Sequence, residues 1–397
     1  MILDQDFQSR QISGRSYFTA VTPIQSLSTL PAPPPPAVRN LLLRVVEAHY
    51  GPPGLIALTL LDDDPQIYVS DAIAGVPAAG ETSEIGVIGS TQLSLMDIPM
   101  LRDQDDAPGY YVAMTGIGSQ WRGAVLFKSG DGGATYDPIL TLTVSTIRGT
   151  APVKLATTWR PETWDRVSTL DVQIFGAGVP LSDSEINVLN GANAVVVGGE
   201  IIQYLNAADL GNSTWRLSDL LRGRRGTEYA VGTHANNEIC TWVAPTSSAF
   251  VEVSASEINL ERLYRAVSIN TPFELAVVKR FTHTGNTLRP YTAVHIKGTR
   301  DGSSNLTITW IRRTRIGGHW ADYVDVPIGE ATQSYEIDIL NSAKTAVLRT
   351  LTSTSSSVVY TAAQQAVDFG SPPGSVNIVI YQMNAMIGRG FGSSATV

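Results

Sequence analysis

Residues 306–310 read Leu-Thr-Ile-Thr-Trp, and the same alternation of apolar and polar side chains returns in Tyr335–Ile339 and Val376–Tyr381. A period of two predicts strands with one face buried against a partner sheet. A fourth run, Tyr323–Val326, has the same pattern, and turns rich in Gly, Ser, Asn or Pro separate the runs. Residues 286–397 therefore predict one β-sandwich domain with an apolar core.

Upstream, residues 81–285 consist of short apolar runs with turn residues between them. Val, Ile, Thr, Tyr and Trp dominate the runs and favour strands, because they pack well on a pleated surface. We expect an all-β, multidomain protein of β-sandwich and β-barrel-like modules, with less than about a fifth of its residues in helices. The strands predicted here are Tyr110–Met114, Gly123–Lys128, Leu140–Thr143, Thr169–Phe175, Ala194–Val197, Glu200–Leu205 and Ile239–Val243.

Helical signals in the sequence are few and short. Ser182–Glu185 has the capping-box pattern ahead of apolar residues and predicts one short helix. Ser218–Leu221 and Ala255–Ala266 are two further candidates, the second because its apolar residues recur at near-helical spacing. Because the sequence contains no sustained helical period, we do not expect an α/β architecture.

Residues 1–80 predict an arm, a spacer and a hairpin. The prolines of Pro31–Pro36 favour an extended polyproline II spacer, with an SH3-type ligand as the functional alternative. Leu41–Tyr50 and Leu55–Leu61 predict two strands joined by a turn at Gly51–Gly54. A stretch rich in Ala, Gly, Pro and Ser follows at 71–90, so we place a domain boundary at 80/81. We place a second boundary at 285/286, ahead of the alternating strands of the last domain.

The composition bounds the class of protein. Charged residues make up 16% of the chain, against about 25% in a typical soluble protein. That deficit indicates either surface covered by neighbours in an assembly or sheet faces built from Thr, Ser, Asn and Gln, and the sequence leaves both open. The net charge of −8 argues against stable nucleic-acid binding, which usually needs a basic face.

Three features bear on the compartment in which the chain folds. Cys240 is the single cysteine of the sequence, which rules out an internal disulfide and fits folding in a reducing cytoplasm. The first residues have neither the basic start nor the apolar core of a signal peptide. No run of about 18 apolar residues occurs in the sequence, so we expect no membrane span.

Two stretches carry a resemblance to a known family. The first comprises Trp164–Val172, Leu189–Asn193, Gly199–Gln203 and Trp215–Thr227, the last of which contains the most specific piece, Leu-Leu-Arg-Gly-Arg-Arg-Gly-Thr. It resembles the C-terminal part of the tail-tip hub protein of gene transfer agents and related siphophages, called the megatron or host-specificity protein. Residues 310–390 are similar to the fibronectin type III-like domain that closes such proteins.

The resemblance covers roughly residues 40–397 and implies a structural virion protein of the distal tail, at the tail tip or baseplate, assembled in the host cytoplasm. The implied partners are other tail proteins (distal tail protein, hub and tape measure) and a host surface polysaccharide or receptor. It also implies a homotrimer, because tail-tip hubs of this kind are threefold. The family proteins are usually far longer, so the hub ring is either this chain or a separate protein.

These expectations extend to the way the domains are arranged. A closed ring limits growth, whereas open contacts between copies would make fibres. We expect the contacts between copies mainly on residues 90–285, whose apolar strands outnumber those that one sandwich can cover. We expect the C-terminal sandwich to hang freely from about Asn286.

One motif predicts a turn. Ser129, Asp131, Gly133, Thr135 and Tyr136 fit the Asp-box pattern, S-x-D-x-G-x-T-W/Y. In such a hairpin turn the Asp bonds backbone amides, the glycines supply positive φ and the aromatic ring packs under the turn. Sialidases repeat the box once per propeller blade, so a single copy predicts a fold-stabilising turn.

The remaining candidates for a metal site or a nucleophile lack the spacing or the position that such sites need. The clusters Asp62–Asp64 and Asp103–Asp106 lack the ligand spacing of an EF-hand and are followed by turn residues, so we expect turns or solvated loops rather than calcium sites. The five histidines lack the spacing of a zinc helix motif. Cys240 lies in an apparent strand, which predicts a buried thiol rather than a nucleophile. We expect no enzyme, no metal and no cofactor.

Arg222, Arg224 and Arg225 are the candidate interface residues. They fit a phosphate or polysaccharide contact, or a tight turn whose arginines pair with acidic neighbours or with an adjacent subunit. Two functions rival the structural one. An envelope-polysaccharide-degrading enzyme would need two placed carboxylates, and a receptor-binding tip protein would show exposed aromatic side chains along a groove.

Overall fold

The computed structural model describes residues 7–12, 15–20, 43–50, 56–62, 88–156, 159–160, 162–244, 247–319 and 323–397. The chain forms two compact units, Met1–Ile85 and Gly86–Val397. The predicted spacer Pro31–Pro36 and the predicted turn Gly51–Gly54 lie outside the described residues.

The first unit contains one antiparallel sheet. Its strands pair in chain order, and the last two confirm the pair predicted on either side of the glycine-proline turn. They are β1 (Phe7–Ile12), β2 (Arg15–Ala20), β3 (Leu43–Tyr50) and β4 (Ile56–Asp62).

The second unit is built almost entirely from antiparallel strands, which form three modules. In chain order they are β5 (Thr91–Met96), β6 (Gly109–Gly116), β7 (Ala124–Ser129), β8 (Asp137–Leu142), β9 (Arg148–Ala151), β10 (Trp164–Asp165), β11 (Leu170–Phe175), β12 (Ala194–Val197), β13 (Glu200–Gly211), β14 (Thr214–Leu221), β15 (Glu238–Trp242), β16 (Ser248–Glu252), β17 (Arg262–Ser268), β18 (Val278–Phe281), β19 (Val294–Arg300), β20 (Leu306–Ile311), β21 (Tyr335–Leu340), β22 (Val347–Ser353), β23 (Ser357–Tyr360), β24 (Asn377–Asn384), β25 (Gly388–Arg389) and β26 (Ser393–Thr396).

The first module of this unit, here called the flanking module, has two sheets in the orders β16-β6-β5 and β18-β17-β7-β8. Its core includes Tyr110, Val112, Leu126 and Tyr264, which are almost completely buried. Its strands precede and follow β9–β15 in the sequence, so the second module is an insertion within the first.

The second module is a closed six-stranded barrel. β13 pairs with both β12 and β14, so the order β14-β11-β9-β15-β12-β13 returns to its starting strand. Closure removes the open sheet edges that other chains could extend. Val172, Val195, Ile202 and Leu217 fill the interior. The two-residue strand β10 pairs with the last residues of β14, which brings Asp165 to the end of the barrel.

The third module is a β-sandwich at the C-terminal end of the described residues, in the region that was predicted to be fibronectin type III-like. One sheet has the order β19-β20-β23, and the other has β22-β21-β24 with β25 and β26 also paired to β24. The alternating residues Leu306, Ile308 and Trp310 all face the core, and Trp310 is 4% exposed. Its ring meets that of Tyr335 edge-to-face, with centroids 5.0 Å apart. The strands predicted at Leu306, Tyr335 and Val376 are confirmed.

Helix is scarce in the described residues, which contain two α-helices besides short 3-10 turns. The predicted helix near Ile186 is present as α1 (Glu185–Leu189), but Ser184 caps it. The hydroxyl of Ser182, which we expected to act as the cap, instead accepts a hydrogen bond from the backbone NH of Ala207. The second helix, α2 (Ala362–Phe369), was not predicted.

Three local predictions are wrong. Ser218–Leu221 belongs to β14, because neighbouring barrel strands supply its hydrogen-bond partners. Ala255–Ala266 makes a single 3-10 turn, then Asn259 adopts a φ of 64° and the chain enters β17. Tyr323–Val326 lies in a loop, where Tyr323 has a φ of 58° and is fully exposed. Within the described residues, no helix has the length and apolarity needed to cross a bilayer.

Candidate functional site

The most specific element of the sequence, Leu-Leu-Arg-Gly-Arg-Arg-Gly-Thr, begins at the end of β14 and turns inward. The guanidinium of Arg222 is fully buried and donates two hydrogen bonds of 2.8 Å to the carboxylate of Glu200, the first residue of β13. The backbone NH of Gly223 donates a third, of 2.7 Å, to the same carboxylate. Gly223 has a φ of 59°, which glycine adopts without strain and which turns the chain back over Glu200.

Asp165 supplies a second buried carboxylate to this end of the barrel. Its Oδ2 lies 3.7 Å from Nη1 of Arg222, and both side chains are fully buried. Its Oδ1 accepts hydrogen bonds from the backbone NH groups of Val167 and Ser168. Arg222 therefore faces two buried carboxylates from separate strands, Glu200 of β13 in the barrel and Asp165 of β10 at its end.

His234 completes the network. Its Nε2 lies 2.7 Å from Oε2 of Glu200, and its Nδ1 lies 2.7 Å from Oε2 of Glu238 at the start of β15. Burial would lower the pKa of His234, but the hydrogen bonds to Glu200 and Glu238 outweigh it and raise the pKa above the ordinary 6.5. Burial would likewise raise the pKa of Glu200, but hydrogen bonds from His234 and Arg222 hold it below its ordinary value.

The remaining polar residues of the element tie it to neighbouring strands. Arg224 donates a 2.7 Å hydrogen bond from Nε to the side chain of Gln203. Gln203 donates in turn to the carbonyl of Val188 in α1. Thr227 accepts a 3.0 Å hydrogen bond from the backbone NH of Ile201 and donates to the carbonyl of Arg224. The element is therefore fixed against β13 along its length.

These contacts give the three candidate interface arginines different surroundings. Arg222 is fully buried and pairs with an acidic neighbour of its own chain, so another subunit or a polysaccharide cannot reach it. Arg224 is half-buried against Gln203. Arg225 is exposed at a φ of 57°, and remains the candidate for an external contact.

The element and the two residues that follow it, Glu228 and Tyr229, contact the C-terminal part of the chain. Glu228 accepts hydrogen bonds of 2.7 and 3.1 Å from the guanidinium of Arg313. The ring of Tyr229 stacks on that of Phe391 at a centroid distance of 4.3 Å. Gly226 packs so closely against the ring of Tyr291 that a Cβ there would lie 2.4 Å from it.

Arg315 makes a second bridge between modules. It is 6% exposed and donates to Glu330 of the sandwich at 2.6 Å and to Asp106 of the flanking module at 2.7 Å. It also donates to the carbonyl of Thr287. The expectation that the sandwich hangs freely from about Asn286 is therefore wrong, because arginines after β20 reach back into the earlier modules.

The Asp-box residues lie in the turn between β7 and β8. Asp131 accepts hydrogen bonds from the backbone NH of Thr135 at 3.0 Å, from its hydroxyl at 2.7 Å and from the hydroxyl of Ser129 at 2.7 Å. Ser129 accepts from the backbone NH of Gly133, whose φ is 102°. Hydrogen bonds from Thr135 and Ser129 hold the pKa of Asp131 far below its usual range. Tyr136 packs against Phe273 beside the turn.

The other carboxylates considered from the sequence lie in separate places. Asp105 is buried and accepts hydrogen bonds from Arg102 and from the hydroxyl of Tyr111. Asp106 pairs with Arg315, and Asp103 accepts from the backbone NH of Gly317. Of the cluster Asp62–Asp64, only its first residue lies within the described residues. Among the described residues, no group of three His, Cys, Asp or Glu side chains is arranged to hold a metal ion.

Cys240 lies in β15 and is completely buried, as its position in an apparent strand predicted. Burial raises the pKa of its thiol to about 12, so the reactive thiolate form is scarce at neutral pH.

One family model matches the chain over the barrel. Residues 147–241 match the model of the family described as Rcc01698-like, C-terminal. The matched range begins one residue before β9 and ends one residue before the end of β15, so it is the barrel with its buried ion network. A comparison with curated proteins finds no match.

Several solved structures of β-sandwich proteins align with the chain. Rat CD45 extracellular domains d3–d4 are 14% identical and cover 39% of this chain and 72% of that chain, with a TM-score of 0.19. Chicken CNTN1 FN1–FN3 domains (12% identical, TM-score 0.20) and titin domains A168–A170 (8%, 0.20) each cover 78% of this chain and 98% of theirs. Similarities this low carry no argument about function.

Proposed function

We propose that this chain is a structural component of the distal tail of a tailed phage or gene transfer agent, at the tail tip or baseplate. The observation that carries the proposal is the match of residues 147–241 to the Rcc01698-like C-terminal family, a name associated with gene transfer agents. The same residues contain the sequence element that resembles the tail-tip hub, or megatron, proteins.

The internal role of that element supports a structural function. Each oxygen of Glu200 accepts two hydrogen bonds within the barrel, from Arg222, Gly223 and His234. A buried carboxylate that is already saturated in this way is poorly suited to general acid or base catalysis on a polysaccharide, which must reach it directly. Arg222 instead ties strands of the barrel together, and the neighbouring Glu228 and Tyr229 contact the C-terminal sandwich.

In this proposal the chain organises the tip as a homotrimer, together with other tail proteins, and contacts the host envelope without cleaving it. The low charged fraction fits a chain whose surface is covered by neighbours. Arg225, exposed on the element, is available for a contact with such a neighbour.

Immunogold labelling of purified particles tests the proposal. Antibodies raised against the full chain should label the distal end of the tail, and the label should disappear when the antibodies are first absorbed with the purified protein. Label on the capsid, or particles that lack the chain by mass spectrometry, would refute it. Release of sugars from host envelope by the purified chain, above the level of a heat-denatured control, would favour the degrading enzyme instead.

A further inference from the structure

A single carboxylate clamps both ends of the segment Arg222–His234. Glu200 accepts two hydrogen bonds from Arg222 at the start of the segment and lies 2.7 Å from Nε2 of His234 at its end. The two clamped residues are twelve positions apart in the sequence, and Glu238 holds His234 from its other side, with its Oε2 2.7 Å from Nδ1 of His234. The segment between them is thus a loop tied at its base.

The proton count at His234 follows from these distances. A carboxylate oxygen only accepts hydrogen bonds, and both ring nitrogens of His234 face carboxylate oxygens. A neutral imidazole has one N–H, so one of the two contacts would set a nitrogen lone pair against a carboxylate. The imidazolium cation has two N–H groups and satisfies both contacts.

The charges around His234 favour the cation as well. Glu200 on β13 and Glu238 on β15 face the ring directly, while Arg222 and Asp165 lie behind Glu200. With His234 charged, two cations face three carboxylates; without its proton, Arg222 alone faces them. Loss of the proton therefore increases the uncompensated negative charge in a largely buried place, which is unfavourable.

The tied loop carries the contacts with the C-terminal sandwich. Glu228 in its middle binds Arg313, and Tyr229 stacks on Phe391. Gly226 lies against the ring of Tyr291. If the base of the loop loosens, these three contacts lose the support that positions them.

We propose that His234 is a pH-sensitive latch: its imidazolium form ties the Arg222–His234 loop to the barrel, and loss of its proton as the pH rises loosens the junction with the C-terminal sandwich. The direction follows from linkage. The folded-state pKa of His234 lies above the ordinary 6.5, so its stabilising contribution is complete below about pH 6.5 and is lost as the pH rises through the folded-state value.

Nitrogen NMR of the full-length chain tests the protonation state. The imidazole signals of His234, assigned by their loss in His234→Gln, should show two protonated ring nitrogens at about pH 6.5 and deprotonation only above it. A neutral ring at that pH would overturn the proposal. If His234→Gln does not fold, Glu238→Gln supplies the assignment, because it removes one carboxylate partner and should shift the titration of this one histidine to lower pH.

Hydrogen exchange tests the link to the junction. Protection of amides in 223–231 and 388–392, corrected for the intrinsic rate at each pH, should fall as His234 loses its proton. In Glu238→Gln the fall should begin at lower pH, and in the exposed control His319→Gln it should match the unmodified chain. Constant protection through the titration of His234 would refute the latch while leaving the proposed tail function untouched.

Discussion

Two carboxylates, Glu200 in the barrel and Asp338 in the C-terminal sandwich, are both buried and both bound by an arginine, but in different surroundings. The partner of Glu200, Arg222, has a side chain that is 0% exposed. The partner of Asp338, Arg389, has a side chain that is 39% exposed and donates at 2.6 and 3.0 Å. The barrel therefore encloses an ion pair completely, whereas the sandwich places one at its rim.

The two ion pairs differ in how much the structure around them depends on the arginine. In the barrel, water cannot replace a lost partner, so every member of the network depends on the others. In the sandwich, water reaches Arg389 and the core beneath is apolar, with Ile337, Ile339 and Trp310 nearly completely buried. We infer that charge holds the barrel end together and apolar packing holds the sandwich together.

Replacing Arg222 by Met should have the largest effect. The substitution keeps much of the side-chain volume but leaves the buried Asp165 without its cation and removes two of the hydrogen bonds to Glu200, which should lower the free energy of unfolding by about 3–5 kcal/mol. Urea unfolding monitored by circular dichroism measures it. A change below about 1 kcal/mol would mean that water reaches this end of the barrel.

Replacing Trp310 by Ala tests the sandwich in the same way. Its ring is 4% exposed and packs edge-to-face on Tyr335, so its loss should lower the free energy of unfolding by about 3–5 kcal/mol. Thermal melting checks this. An unchanged melting temperature would show that apolar packing is not what stabilises the sandwich.

Replacing Arg389 by Met is the matched control for Arg222→Met. Asp338 keeps a 2.6 Å hydrogen bond from the hydroxyl of Thr350, and water can take the place of the exposed guanidinium. The expected loss is about 1 kcal/mol or less, measured in the same urea titration. A loss as large as that of Arg222→Met would remove the distinction between the two modules.

The strands of the sandwich could be predicted because the alternation of apolar and polar residues within each strand shows which of its side chains are buried. In Leu306–Trp310, five consecutive residues contain the alternation that places three side chains in the core. α2 was missed although Thr361 and Gln364 form a reciprocal capping box at its start. The spacing of Thr361 and Gln364 is present in the sequence, but the helix that it starts is only eight residues long, too short to show a sustained helical period.

The ion network could not be predicted, because its members are brought together by closure of the barrel. Asp165, Glu200 and His234 are each separated by more than thirty residues along the chain. The sequence indicated the arginine group and the possibility of acidic neighbours, but it did not distinguish a buried pair from an exposed interface. Only the pairing of β13 with β14 and of β10 with β14 decides which carboxylates Arg222 meets.

Reconstruction of the intact particle by electron cryomicroscopy tests the proposed function most directly. We expect three copies around the tail axis at the distal tip. In each copy, the hydrogen bond between Arg313 and Glu228 should join the barrel to the C-terminal sandwich. Symmetry of this kind closes a ring and limits growth. A single asymmetric copy, six copies, or the absence of the barrel from the tip would contradict it.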